Sequence, residues 1–245
     1  MVERGAALIT GGARRIGRAL VIAAAEAGYD VAIHVRAIDD EAEAAAAEVR
    51  AKGRKTAILA CDLRKEATAV ALVGEAEAEL GPVTLLVNSA SVFEEDAFAD
   101  MNRASWDAHM ETNLRAPLVL AQVFARRLPA DREGLIVNLL DQRVLKSAPH
   151  FFSYSLSKAA LWDATRMLAQ ALAPRIRVNG IGPGPTLPSA HQDQAAFEAE
   201  ARATLMGRPV SPAEIAAALR YLIDAPSVTG QMIAVDAGQH LTWTS

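Results

Sequence analysis

Short apolar runs alternate along the chain with longer segments of helical period. The runs predict strands at 6–10, 31–35, 56–61, 83–88, 135–140, 176–181 and 232–235. The longer segments predict helices at 15–28, 39–52, 66–80, 102–128, 154–173 and 213–224. Gly28, Gly53 and Gly81 stand where three of these helices should end. The alternation predicts a doubly wound α/β fold, with about seven parallel strands and helices on both faces of the sheet.

The pattern also predicts where a ligand binds. Since no proline- or serine-rich linker interrupts the chain, we expect residues 1–245 to form a single domain. Doubly wound sheets bind ligands at the carboxyl ends of their strands, near the switch in strand order. The irregular stretch from 182 to about 194, rich in proline, follows the sixth strand. It therefore belongs to this end, where a mobile substrate loop is expected.

Composition narrows the class of protein. The net charge of −4, with no Lys/Arg-rich run, argues against nucleic acid as a partner. No stretch approaches the ~20 apolar residues of a membrane span, and the first ten residues lack the features of a signal peptide. The five histidines are scattered and Cys61 is the sole cysteine, so we expect no metal site. A cytoplasmic protein acting on a small molecule is the expectation.

A glycine-containing turn follows the first strand and opens a helix. Glycines allow a tight turn and a close approach of the backbone to a pyrophosphate, which the helix N-terminus stabilises. A purely structural turn is the alternative interpretation. The candidate cofactor-binding residues here are Gly11, Arg14, Arg15, Ile16 and Gly17.

The end of the second strand bears on the choice of cofactor. NAD sites usually carry an acidic residue here, which binds the ribose 2′-hydroxyl. This chain has Arg36 instead, with Arg15 nearby in the turn, and guanidinium groups can pair with a 2′-phosphate. The sequence therefore favours NADPH over NADH, with two solvated arginines as the alternative. Other strand-end candidates for cofactor contact are His34, Asp62, Leu63, Asn88, Ser89 and Ala90. For the segments at Asp62 and Asn88, an ordinary strand-to-helix cap is the alternative.

Tyr154 and Lys158 carry the candidate chemistry. They are four residues apart in a predicted helix, so the phenol and the ammonium share one face. A nearby ammonium stabilises a phenolate and should bring the pKa of Tyr154 down toward neutrality. This spacing is common in helices, but its place after the fifth strand of such a chain makes an acid–base pair the favoured interpretation.

From Ala6 to Gly238 the chain resembles the short-chain dehydrogenases/reductases. The resemblance lies in the segments TGGARRIG, CDL, NSAS, YSLSK, RVNGIGPG and GRPVSPAEIAAALRYL. It implies a Rossmann-type fold and a homotetramer in which the helices at 102–128 and 154–173 pack against partners. It further implies that Lys158 also holds the nicotinamide ribose and that Asn113 holds a water in a proton relay. Residues implied to lie along the nicotinamide are Pro183, Gly184 and Thr186.

Three departures from the family pattern point to a subgroup. Arg15 replaces the middle glycine of the turn, Ser89 and Ser91 alter the usual NNAG, and Asp141 replaces the catalytic serine. This combination is similar to the pteridine reductases and dihydromonapterin-type reductases. Phe93 matches the aromatic residue that stacks on the pterin there, with an ordinary apolar loop residue as the alternative. The implied substrate-binding residues are Arg15, Ser91, Phe93, Asp141 and Tyr154.

The leading hypothesis is therefore NADPH-dependent reduction of a pterin or dihydropterin ring. Tyr154, supported by Asp141 and Lys158, would supply the proton. A carboxyl group whose pKa is raised by burial suits proton delivery to a ring nitrogen. One alternative is a short-chain carbonyl reductase acting on an oxoacyl or sugar-like substrate. Another is a non-catalytic protein that senses NADP(H).

Overall fold

The computed structural model describes residues 4–189 and 192–243, and the parallel strands within them form one sheet. The strands are β1 (Ala6–Thr10), β2 (Asp30–Val35), β3 (Thr56–Ala60), β4 (Val83–Asn88), β5 (Gly134–Leu139), β6 (Ile176–Pro183) and β7 (Met232–Val235). Their order in the seven-stranded sheet is β3-β2-β1-β4-β5-β6-β7. The predicted doubly wound parallel sheet is confirmed.

The helices follow the predicted alternation with two differences. They are α1 (Arg15–Glu26), α2 (Asp40–Ala51), α3 (Glu66–Leu80), α4 (Arg103–Met110), α5 (Ala116–Arg127), α6 (Phe152–Leu172), α7 (Gln194–Arg202) and α8 (Pro212–Asp224). The predicted helix at 102–128 contains a π-helical turn, Glu111–Arg115, between α4 and α5. Helix α7 was not predicted, and Asp193 caps it by accepting a hydrogen bond from the backbone of Ala196 at 2.7 Å.

Two apolar layers hold the helices against the sheet. One face packs against α1, α2 and α8, and the other against α3, α5 and α6. Neighbouring residues of β4 show the alternation, since Leu85 and Val87 enter the first layer and Leu86 the second. Because both faces are covered, the strands are apolar almost throughout, which explains why they stand out in the sequence.

The topology provides a crevice at the carboxyl ends of the strands. The chain proceeds from β1 outward to β2 and β3, then returns to β4 on the other side of β1. The turns after β1 and β4 therefore diverge, and ligands of such sheets bind at this switch point. Within residues 4–189 and 192–243, no helix has the length and apolar character needed to cross a membrane.

Candidate active site

A cleft of about 620 Å³ opens at the carboxyl ends of the central strands. Its volume falls within the ~300–1,000 Å³ of small-molecule sites. The cleft brings together residues predicted separately from the turn after β1, the end of β4, helix α6 and the end of β6. The predicted site residues that line it are Gly11, Arg14, Arg15, Ile16, Gly17, Ser89, Ala90, Ser91, Phe93, Asp141, Tyr154, Lys158, Pro183, Gly184 and Thr186.

Tyr154 and Asp141 are directly hydrogen-bonded. The Tyr154 hydroxyl donates to Asp141 Oδ2 at 2.7 Å, and the backbone N–H of Arg143 donates to Asp141 Oδ1 at 2.8 Å. Asp141 comes just after β5, and Tyr154 lies in the first turn of α6, where its ring is 5 % exposed. The residue that replaces the family serine is therefore in contact with the phenol.

Lys158 lies one turn further along α6, as its spacing predicts. Its Nζ donates to the backbone oxygen of Leu139 at 2.7 Å and is 5.7 Å from the centre of the Tyr154 ring. Burial lowers the pKa of the Lys158 ammonium to about 8. The nearby charge of Asp141 raises the pKa of Lys158, but it offsets only part of the loss of solvation.

The expected acidification of Tyr154 is wrong for this structure. Burial, followed by the charge of Asp141, raises the pKa of Tyr154 well above its ordinary range. Burial also raises the pKa of Asp141, although the Arg143 N–H and the phenol stabilise its charged form. A carboxylate in direct contact outweighs a more distant ammonium. Tyr154 is therefore a neutral phenol, and it donates its hydrogen bond to Asp141.

Asn113 lies in the π-helical turn and fixes a loop. Its Oδ1 accepts from the backbone of Val92 at 2.8 Å and from Ser91 Oγ at 3.2 Å. Its Nδ2 donates to the oxygen of Val92 at 2.9 Å and to Ser157 Oγ at 3.1 Å. The side-chain amide is thus fully used by protein groups, and the water relay that the family resemblance implies for this residue stays a prediction.

This loop presents Phe93 to the cleft within an aromatic cluster. The Phe93 ring stacks on Phe151, with centroids 4.3 Å apart and an interplanar angle of 8°, and meets the Tyr154 ring edge-on at 4.6 Å. The guanidinium of Arg143 lies 5.0 Å from the centre of the Phe151 ring. Sequence reasoning missed Phe151, although an aromatic residue three positions before Tyr154 was a visible signal.

The glycine turn is packed too tightly for side chains. A Cβ on Gly17 would lie 2.0 Å from the oxygen of Gly11, and one on Gly11 would lie 2.9 Å from the Cα of Ala90. Thr10 Oγ1 accepts hydrogen bonds from the backbone of Ser89 at 2.9 Å and of Ala90 at 3.0 Å. These contacts bring the turns after β1 and β4 together under the N-terminus of α1.

His34 supports this turn from beneath, and it does not line the cleft. Its ring is 3 % exposed, with Nδ1 3.4 Å from the backbone nitrogen of Gly11 and Nε2 3.2 Å from the oxygen of Cys61. Burial lowers the pKa of the imidazole, which favours the neutral ring that accepts at Nδ1. The predicted direct cofactor contact is therefore replaced by a structural one.

Other strand-end candidates also lie outside the cleft. Asn88 is buried, and its Nδ2 donates to Asn138 Oδ1 at 2.8 Å, so the amide faces β5. The carboxylate of Asp62 is held by Arg64, whose Nη2 lies 2.7 Å from Oδ2, and this contact lowers the pKa of Asp62 to about 2. Leu63 is 7 % exposed and joins the second apolar layer.

The three candidate arginines have different environments. Arg14 forms ion pairs with Asp39 and Glu41 at the start of α2. Arg15 donates to the backbone oxygens of Pro188 at 2.8 Å and Leu187 at 3.1 Å. Arg36 is exposed at the end of β2, outside the cleft, and none of the described residues forms an ion pair with it.

No metal centre is seen in the part of the chain that the structure describes. There, no group of three or more His, Cys, Asp or Glu side chains is placed to hold a metal ion. His191, one of the scattered histidines, lies outside the described residues, as does part of the predicted loop at 182–194.

Solved structures of similar sequence share this fold. FolM alternative dihydrofolate reductase 1 from Brucella canis, complexed with NADP, is 47% identical, with a TM-score of 0.95, covering 100% of this chain and 97% of that one. The FolM protein of Brucella suis, also in complex with NADP, is 47% identical with a TM-score of 0.96, covering 100% and 98%.

Sequence comparisons find relatives that are named for reductases other than FolM. A family model described as enoyl-(acyl carrier protein) reductase matches residues 11–240. The 3-oxoacyl-(acyl-carrier-protein) reductase FabG of Staphylococcus epidermidis is 31% identical over 179 residues, covering 73% of each chain. With the parallel sheet, the glycine turn and the Tyr154–Lys158 pair, these matches identify the chain as a member of the short-chain dehydrogenase/reductase family of oxidoreductases.

Proposed function

We propose that this protein reduces the ring of a pterin or dihydropterin, with NADPH as the cofactor. The observation that carries the proposal is the 2.7 Å hydrogen bond from the Tyr154 hydroxyl to Asp141 Oδ2. Reduction of a ring C=N bond needs a proton at nitrogen, and a carboxyl group of raised pKa can store one beside the phenol. A serine in this position has no such titratable proton.

The residues of the cleft fit the proposed cofactor. The glycine turn leaves no room for side chains beside Gly11 and Gly17, and α1 begins directly after it, as in a cradle for a pyrophosphate. Arg36 is available for a 2′-phosphate at the end of β2, while Lys158 and Thr186 would flank the nicotinamide end. When bound, NADPH supplies the hydride.

The side chains of the protein supply the proton. Tyr154 Oη donates its proton to the substrate nitrogen. Asp141, in its protonated form, then donates a proton to Tyr154 Oη across the same 2.7 Å contact, which reverses the direction of the hydrogen bond. The carboxylate that results is stabilised by the Arg143 N–H and by the Lys158 ammonium, and is then reprotonated from solvent. Phe93 would orient the ring by stacking.

The FolM structures support a pterin-type substrate, because their 47% identity extends over nearly the whole of both chains. The FabG relatives favour a second candidate, reduction of an oxoacyl thioester. Asp141 distinguishes the two candidates, since the resemblance associates carbonyl reduction with a serine at this position. The proposal also includes a single domain, a cytoplasmic location and a homotetramer. Light scattering on the purified protein tests the homotetramer.

A substrate panel tests the proposed function. The oxidation of NADPH is followed by absorbance with dihydrobiopterin, dihydromonapterin and acetoacetyl thioesters, using Tyr154→Phe as the inactive control. We expect turnover of a dihydropterin that is lost in Tyr154→Phe. Turnover of the thioester alone would establish the second candidate instead. NADPH binding without turnover of any substrate would indicate a sensor.

A further inference from the structure

Gln142 lines the cleft, and its side-chain oxygen has no hydrogen-bond partner among the described residues. It follows Asp141 directly, opens the short 3-10 turn Gln142–Val144, and is 8 % exposed. Its Oε1 is buried and accepts no hydrogen bond from any residue that the structure describes. A buried acceptor without a partner costs about 1–3 kcal/mol, so such atoms in native proteins usually have a partner. Rotation of the carboxamide about its Cγ–Cδ bond exchanges Oε1 with Nε2, so a donor on a ligand in the cleft can reach Oε1 once the side chain has turned.

Glu200 of α7 lines the same cleft and is held by two carboxamides. Gln239 Nε2 donates to its Oε1 and Gln192 Nε2 to its Oε2, both at 2.9 Å. A carboxylate has about four acceptor sites, so further donors can be bound. Neutral carboxamides orient the carboxylate but do not neutralise it, so its negative charge faces the cleft.

These two groups belong to one wall. The turn that begins at Gln142 packs against the turn Gln239–Leu241, and Lys146 Nζ donates to Thr242 Oγ1 at 2.8 Å across the same junction. We name Gln142, Gln192, Glu200 and Gln239 the polar wall. Since Gln142 is bonded to Asp141, the wall extends from the candidate proton donor to α7.

We propose that the polar wall is a substrate-binding subsite for neutral groups rich in N–H and O–H donors, with Gln142 and Glu200 as its specificity-determining residues. This inference rests on the proposed function and specifies which substrates the site accepts. An amino-substituted ring with a hydroxylated side chain satisfies both acceptors. An apolar acyl chain would desolvate them without partners, and an anionic side chain would meet the charge of Glu200.

Binding measurements test the proposal separately from turnover. The affinity of biopterin for the NADP-loaded protein is measured by calorimetry, and the affinity for NADPH by fluorescence, in Gln142→Met and Glu200→Gln. We expect each substitution to weaken biopterin binding about tenfold, the effect of losing one hydrogen bond of about 1.4 kcal/mol, while NADPH binding is unchanged. Glu200→Gln preserves the shape of the side chain, so it gives a result even where Gln142→Met folds poorly.

Two controls test whether the effect on binding depends on the position of the Glu200 carboxylate and on its charge. Glu198→Gln removes a carboxylate from the exposed face of the same helix, where it contacts Gln194 and Arg202 outside the cleft, and should leave biopterin binding as in the wild type. Folate carries an anionic tail, so Glu200→Gln should shift the ratio of biopterin to folate affinity toward folate, and Glu198→Gln should not.

The outcomes separate this inference from the proposed function. In one outcome, the wild-type protein binds and reduces a pterin, while Gln142→Met and Glu200→Gln leave the biopterin affinity and the biopterin-to-folate ratio unchanged. That outcome overturns the proposed subsite and leaves the proposed function standing. Wild-type protein that binds no pterin overturns both. Weaker binding in both variants, with the charge effect confined to Glu200→Gln, supports the subsite.

Discussion

Replacing Asp141 with asparagine tests the proton-delivery step. The change keeps the shape of the side chain and its contact with the Arg143 N–H, but removes the titratable proton beside Tyr154. A hydrogen bond to a charged group contributes about 1.5–3 kcal/mol, which corresponds to about a 10- to 150-fold change in rate. Because the carboxyl acts on the departing proton, we expect kcat for a dihydropterin to fall by this factor, with KM nearly unchanged.

The same substitution has a predictable effect on stability. Burial raises the pKa of Asp141 above its ordinary value of 3.8, so the folded protein binds this proton more tightly than the unfolded chain does. The charged carboxylate therefore destabilises the fold at pH values above its raised pKa, and this penalty disappears as the pH falls toward 3.8. We expect Asp141→Asn to unfold at a higher temperature than the wild type at neutral pH, with the difference shrinking in acid.

Steady-state kinetics and thermal unfolding over a pH series check both effects. Asp131→Asn is a suitable control, because Asp131 is exposed in the loop before β5 and lies outside the cleft. An Asp141→Asn protein that reduced dihydropterins at the wild-type rate would refute the role of the carboxyl as a proton source. A lower melting temperature at neutral pH would contradict the burial argument.

Three further predictions concern the other site residues. Since burial lowers the pKa of Lys158 to about 8, kcat/KM should fall as the pH rises through that value, and Lys158→Arg should remove this limb of the pH profile, because an arginine stays protonated. Arg36→Asp should weaken NADPH binding about 10- to 100-fold relative to NADH in fluorescence titrations, and an equal effect on both cofactors would exclude a contact with the 2′-phosphate. Phe93→Ala should raise the KM for a dihydropterin about 3- to 10-fold through loss of ring stacking. The control Phe98→Ala should not change the KM, because the Phe98 side chain is 76 % exposed and outside the cleft. An unchanged KM in Phe93→Ala would mean that Phe93 does not stack on the substrate.

Most of the fold could be predicted because its signals are local. Strands buried on both faces, such as β4 and β5, must be apolar, and glycines with positive φ end the helices at Gly28, Gly53 and Gly81. Helix α7 escaped prediction because it buries little, chiefly Phe197 and Ala201, and follows a proline-rich stretch. Its amphipathic pattern is too short to distinguish from a polar loop.

The candidate site divides in the same way. The face shared by Tyr154 and Lys158 follows from helical spacing, and the place of Asp141 follows from the strand before it. The sequence does not give the direction of a side chain at a strand end, because adjacent residues of a strand point to opposite faces. His34 and Asn88, for example, both point into the protein. The residues of the polar wall come from segments far apart in the sequence, so no local sequence pattern predicts them.

Arg15 shows how one unusual residue can link two parts of a protein. Its backbone adopts φ 51°, a conformation that costs a non-glycine residue about 1–2 kcal/mol, while its guanidinium clasps the carbonyls of Leu187 and Pro188. A glycine at this position would remove the backbone strain, but it would also remove the hydrogen bonds to Leu187 and Pro188. A guanidinium has five N–H donors, and the two hydrogen bonds to Leu187 and Pro188 use two of them. The remaining donors can bind an anion. Arg15 therefore connects the glycine turn after β1 to the segment that follows β6, on the opposite side of the cleft.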